Sequence, residues 1–131
     1  MPQLQNLVLT DREATPVNHT FTPRDIVSNV GAVVESSGVP VGDNRFTISL
    51  RQVNNRYKAT IQLSVPVVQN QTVNGITTPV VVRTAFADLT FTFDAQSTTQ
   101  ERTNFVGMLQ SAMATNKALF HDTVVGLQGV Y

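Results

Sequence analysis

Two alternating runs constrain the fold more than any other feature: residues 45–53, RFTISLRQV, and residues 56–66, RYKATIQLSVP, separated by Asn54-Asn55. Apolar/polar alternation has the period of a β-strand, because successive side chains leave opposite faces of the pleat. The asparagine pair tolerates the left-handed backbone of a tight turn, so the runs are predicted to pair as an antiparallel hairpin. Phe46, Ile48 and Leu50 then share a face with Tyr57, Ala59, Ile61, Leu63 and Val65. Arg45, Thr47, Ser49 and Arg51 share the other with Lys58, Thr60, Gln62 and Ser64. Both apolar rows bury the same side of the sheet, so both polar rows lie together on the opposite side.

Residues 83–94 continue the alternation: Ala85, Ala87, Leu89, Phe91 and Phe93 oppose Phe86, Asp88, Thr90 and Thr92, which puts one large ring in a polar row. Upstream, residues 4–9 and 19–22 flank a polar stretch holding Asp11, Arg12, Glu13 and Pro16, and predict a first hairpin with a loose turn. Residues 30–35, VGAVVE, read as a further strand before the turn cluster SSGVPVGDN. Between Pro66 and Pro79 the chain makes a polar excursion with Asn74-Gly75 near its tip, flanked by valines at 67–68 and 80–82. Proline cannot donate to a β-ladder, so this stretch is expected at an edge or as a protruding loop, and its exposed apolar flanks point to contact with another chain.

Thr98 and Glu101 have the spacing of a capping box, and Phe105, Met108, Leu109, Ala112 and Met113 follow at helical spacing. A shorter apolar helix is predicted over residues 118–125. Strands followed by helices give an α+β fold, and 131 residues suit a single domain over 1–131.

Charged residues make up 14% of the chain and the formal net charge is zero, against about 25% charged residues in ordinary soluble proteins. Such a surface is weakly defended against self-association, which points to much of it meeting protein; a monomer rich in Thr and Asn is the alternative. The absence of cysteine excludes disulfides and thiolate chemistry. The opening MPQLQNLVLTDRE lacks a basic region followed by a long apolar stretch, and no run reaches the length of a membrane span, so a soluble protein without a membrane partner is expected.

No enzyme signature emerges. His19 and His121 have no mate at metal-ligand spacing, and Asp11, Glu13 and Asp25 read as loop carboxylates without a patterned partner. Neither a GxSxG elbow nor a phosphate-cradling glycine loop is present. No catalytic residue, metal or cofactor is therefore expected. What remains is the polar face, with its cations, hydroxyls, one amide, one carboxylate and one ring. Cations attract phosphates, hydroxyls and amides bond base edges, and an aromatic ring stacks on an unpaired base, which is the chemistry of single-stranded RNA recognition. A half-solvated antiparallel sheet shows a polar row by default, so the residues alone leave both readings open.

The stretches NRYKATIQLSVP, QTVNGITTPVVVR, RTAFADLTFTF, STTQERTNFVGML and the final GVY resemble, in order and spacing, the coat proteins of the small single-stranded RNA bacteriophages, the leviviruses. The resemblance runs through essentially the whole chain. It implies an N-terminal β-hairpin, a five-stranded antiparallel sheet and two C-terminal helices that interlock with those of a dimer partner and cover the outer face of the sheet. It further implies a homodimer that builds a T=3 icosahedral shell, the capsid of a virion assembled in the host bacterial cytoplasm, with the polar face toward the genome. The same resemblance implies binding of a genomic RNA hairpin, which packages RNA and represses replicase translation. The alternative is a dimeric sheet-based RNA-binding regulatory module that forms no shell.

Carried over by position, the resemblance places Arg45 and Lys58 beside phosphates and gives Thr47, Ser49, Thr60 and Val30 to a pocket for an unpaired adenine. Gln62 stands where some members have Lys. Arg51 and Asn55 match positions near the hairpin stem and loop. Phe86, with Asp88 two residues on, falls where members have a Tyr that stacks on a loop base. The stretch Gln69, Asn70, Gln71, Thr72, Val73, Asn74, Gly75, Ile76, Thr77, Thr78, Pro79 matches the family's FG loop, whose alternative conformations at the capsid vertices let one sequence close the shell.

Overall fold

A computed structural model describes every residue except Met1, Ser37 and Val39, so two residues of the expected turn cluster lie outside the described residues. Six strands are followed by two helices: β1 Leu7–Thr10, β2 Asn18–Val27, β3 Val30–Glu35, β4 Asn44–Val53, β5 Arg56–Val73, β6 Ile76–Asp94, α1 Thr99–Ala112 and α2 Ala118–Val124, with a 3-10 turn at Pro40–Gly42 before β4. They fall into two compact units, Met1–Thr92 and Phe93–Tyr131.

In the first unit the strands form one sheet in chain order, β1 to β6. The alternation read from residues 45–66 sets the register as expected. Phe46, Ile48 and Leu50 lie opposite Leu63, Ile61 and Ala59, while Arg45, Thr47, Ser49 and Arg51 lie opposite Ser64, Gln62, Thr60 and Lys58. The turn between them opens with Asn54 at φ 49°.

Six strands replace the expected hairpin plus five-stranded sheet because β2 belongs to both. Its residues 18–21 pair with β1, and residues 22–27 pair with β3. The changeover is marked by an irregularity between Pro23 and Asp25, where one extra residue bends the strand. Ser28 (φ 51°) and Asn29 (φ 65°) then make the two-residue turn into β3.

The stretch expected at an edge or as a protruding loop is a strand–turn–strand arm on the edge side of the sheet. Asn74 (φ 53°) and Gly75 (φ 79°) both adopt left-handed backbone, the pairing whose twist matches the flanking strands, so the chain zips up on either side of them. The Thr72 and Thr77 hydroxyls meet across the arm at 3.0 Å. Pro66 and Pro79 lie inside β5 and β6 without breaking them. The β4–β5 ladder ends at Arg45–Ser64, so Pro66 sits where β5 has lost its β4 neighbour, and β6 is an edge strand. A proline's missing N–H is tolerated at an open edge.

In the second unit the capping box forms as read: the Glu101 amide donates to Thr98 Oγ1 at 3.1 Å, and the Thr98 amide donates to the Glu101 carboxylate at 3.2 Å. Phe93 and Phe105 meet edge to face with ring centres 5.5 Å apart. Neither α1 nor α2 buries a residue fully. Among the described residues no helix is long and apolar enough to cross a membrane.

Burial is sparse. Among the described residues the buried apolar ones are Phe21, Ala32, Val33 and Val34, all in β2 and β3. The chain exposes 10193 Å², whereas two separate compact bodies of these two lengths would together expose only about 8,000 Å². Leu50 is 60% exposed, Met108 67% and Leu119 74%.

Candidate nucleic-acid interface

The register of β3, β4 and β5 assembles the polar face row by row. Val30, Ser49 and Thr60 form one row; Ala32, Thr47 and Gln62 the next; Val34, Arg45 and Ser64 the third. Residues directly opposite on neighbouring strands share a face, with Cβ atoms roughly 5 Å apart. The four residues expected as a base pocket therefore occupy two adjacent rows. Thr47, Ser49, Thr60 and Val30 are all half-buried, while Arg45, Arg51 and Gln62 around them are exposed. Small hydroxyls set below a rim of long polar side chains leave a shallow recess whose walls offer both donors and acceptors.

Toward β6 the same face opens into a cavity that, of the four expected pocket residues, only Thr47 lines. A cavity of about 440 Å³ is lined by Arg45, Thr47, Gln62, Leu63, Ser64, Phe86, Ala87 and Asp88. Phe86 is 80% exposed, a large ring held out to solvent from a strand. Beside it the Gln62 amide donates to the Asp88 carboxylate at 3.4 Å, an exposed link between β5 and β6. The ring thus stands free for stacking while the carboxylate is positioned to accept from a neighbouring donor.

Arg51 and Lys58 lie directly opposite each other, further toward the turn that contains Asn55. Arg56, opposite Val53, falls on the same face by register. The sequence reading did not single out Arg56, although its two-residue spacing from Lys58 carried the signal. Among the described residues none of Arg45, Arg51, Arg56 or Lys58 takes part in an ion pair. Like charges placed opposite on a sheet repel, so this arrangement costs stability unless an external anion offsets it. The predicted site residues thus form two neighbouring groups on one face: a recess with hydroxyls and a ring, and a cationic patch at the β4–β5 turn. The residues of the β5–β6 arm, 69–79, stand apart from both.

The reverse face of the same strands is apolar and open within the chain, with Ile48 46% exposed and Leu50 60%. In the second unit a groove of about 580 Å³ between the helices and the tail is lined by Ala112, Leu119, Phe120, Val124 and Val130, with Lys117 and Thr123. Apolar surface of this extent marks contact with other protein. The sheet therefore presents one polar, cation-bearing face and one open apolar face.

Comparison with known proteins finds relatives along nearly the whole chain. The family described as levivirus coat protein matches residues 2–131. The capsid protein of Pseudomonas phage PRR1 is 66% identical over 130 residues, covering 98% of this chain and 99% of that protein. Among solved structures, the bacteriophage GA protein capsid superposes with a TM-score of 0.84 at 26% identity, covering 98% of each chain. The virus-like particle of bacteriophage NT-214 does so with a TM-score of 0.84 at 25% identity, over 99% of this chain and 100% of that one. A sheet with one polar and one open apolar face, matched along nearly its whole length by capsid proteins, is structural and not enzymatic, and the chain belongs to the levivirus coat protein family.

Proposed function

We propose that the chain, acting over residues 1–131 as one coat subunit, forms homodimers that assemble into a T=3 icosahedral shell in the host bacterial cytoplasm. Through its polar face it binds a hairpin of the single-stranded genomic RNA, which selects that RNA for packaging and represses translation of the replicase. The observation that carries this reading is the pairing of unneutralised cations with an exposed ring on one face of a sheet whose other face is apolar and open. Dimerisation covers Ile48, Leu50 and the stripes of α1 and α2, and the RNA supplies the anion that Arg51 and Lys58 lack.

Within the site, Arg45, Lys58 and Arg56 neutralise phosphates, and Arg51 with Asn55 reaches the stem and loop. Thr47, Ser49 and Thr60 hydrogen-bond an unpaired adenine against Val30. Phe86 stacks on a second unpaired base, and Asp88, steadied by Gln62, accepts from that base's amino group. Residues 69–79 form the arm that meets neighbouring dimers at the vertices of the shell. Its two-residue turn and its open-edged prolines support this role, since an arm that lacks a third strand is free to bend.

Electron microscopy of the recombinant product, with sequencing of the RNA recovered from it, tests the reading. Closed shells enriched in one RNA hairpin are expected. Well-folded protein that stays dimeric at high concentration would leave only a shell-less RNA-binding module.

A further inference from the structure

His19, in the half of β2 that pairs with β1, is bracketed by two carboxylates. Its Nε2 lies 2.7 Å from Asp11 Oδ2, and its Nδ1 lies 3.0 Å from both oxygens of Glu35. An ionised carboxylate only accepts hydrogen bonds, and neutral imidazole carries one N–H. Both contacts can be hydrogen bonds only when the ring is doubly protonated.

The His19–Glu35 link ties the β1-paired half of β2 to the end of β3, just beyond the last β2–β3 ladder pair, Thr22–Val34. The other Asp11 oxygen accepts from the amides of Val17 at 2.9 Å and Glu13 at 3.2 Å, closing the loop between β1 and β2. Glu35 ends β3 and also accepts from Asn44 Nδ2 at 2.8 Å, at the start of β4. The other charged groups on these segments are Arg12 and Glu13 beside Asp11, Asp25 in the β3-paired half of β2, Arg45 and Arg51 in β4, and Asp43, which pairs with Arg24 of β2 at 3.4 Å. The side chains of His19, Asp11 and Glu35 are 32%, 30% and 25% exposed, so protons exchange freely with solvent.

We propose that this cluster is a proton-dependent latch fastening the N-terminal hairpin, β1 with residues 18–21, to the β3–β4 end of the sheet. When the ring loses a proton, one nitrogen turns a lone pair toward a carboxylate, and that link opens. The direction in pH follows from the partners. Hydrogen bonds to Asp11 and then to Glu35 raise the His19 pKa above its ordinary 6.5, while the Val17 amide and then His19 hold the Asp11 carboxyl below its usual range. A group whose folded pKa is raised contributes stability that is complete below the unfolded value and is lost as pH climbs through the folded one. The latch is therefore closed at pH 6 and releases on the alkaline side.

Nitrogen-15 NMR of the histidine rings in the recombinant protein tests this, with His121→Asn identifying the second histidine. Hydrogen exchange of peptides covering residues 7–22 is followed in parallel from pH 6 to 9, after correction for intrinsic rates. At pH 6.5 both ring nitrogens of His19 are expected to carry protons. Hairpin opening should then rise by up to about tenfold per pH unit, the limit for one linked proton, and level off once the ring is neutral. His19→Gln should remove the rise, and Asp11→Asn, which leaves the Glu35 link, should reduce it. A neutral His19 ring at pH 6.5, a flat wild-type profile, or an unchanged rise in His19→Gln would each overturn the proposal. The NMR result stands even if a variant fails to fold.

Discussion

Replacing Lys58 by Gln should strengthen the fold and weaken RNA binding at once. Lys58 lies directly across the ladder from Arg51 on the polar face, and neither has an ion-pair partner among the described residues. Removing one of two facing cations relieves a repulsion worth about 0.3 kcal/mol at this solvent-screened position, and more at low salt than at high. Gln keeps most of the length of the side chain, so packing loss is small. The same change removes one phosphate contact, which lowers the slope of log affinity against log salt by about 0.7–0.9. Between 50 and 200 mM salt, wild-type affinity should consequently fall about threefold further than that of the variant. Fluorescence anisotropy with a labelled hairpin measures the slope, and thermal unfolding of the disassembled protein measures stability. An unchanged slope, or a variant that melts lower while binding as before, would refute the reasoning that these cations face an RNA backbone.

Four further outcomes are expected. Thr47→Ala and Thr60→Ala should each weaken binding of the cognate hairpin by about 1–3 kcal/mol while barely affecting a scrambled RNA, because each removes a base contact rather than charge; equal losses on both RNAs would argue against a pocket. Phe86→Ala should cost about 1–3 kcal/mol of hairpin affinity with little change in melting temperature, since the ring is 80% exposed. Deleting residues 69–78 should abolish or alter shells, seen by light scattering, while leaving dimeric RNA binding intact. Thr98→Ala should lower stability by about 1 kcal/mol in denaturant melts, through loss of the capping box at the start of α1.

Much of the sheet was legible because alternation is a strong code wherever a strand is two-faced. Residues 45–53 and 56–66 gave away both their pairing and the sharing of faces, and Phe86 stood out as a ring in a polar row. The far half of β2 was not legible. Residues 23–27, PRDIV, open with a proline and carry a bulge, so their period is broken, and Ser28-Asn29 is a weaker turn signal than Asn-Gly. In the β5–β6 arm the prolines point to an edge or a loop without choosing between them; the register shows that the strands run on through both prolines beside an open edge.

The apolar faces teach a different lesson. A periodic pattern states that a face is to be buried but not by whose atoms. Ile48 and Leu50 read as core and are 46% and 60% exposed within the chain. For the candidate site, the row of hydroxyls and cations was visible in the residues, while its assignment to RNA rested on resemblance. The register supplied what neither gave: Arg56 as an added cation, and the direct opposition of Arg51 and Lys58.

On the proposed function, one face of this sheet meets RNA and the other meets protein. A cryo-electron microscopy reconstruction of the recombinant particle, purified with its RNA, tests it most directly. A closed shell is expected in which a partner subunit covers Ile48 and Leu50, while RNA density lies against Arg45, Thr47, Lys58 and Phe86. RNA against the Ile48–Leu50 face, or a closed shell with the polar face packed on protein, would contradict it.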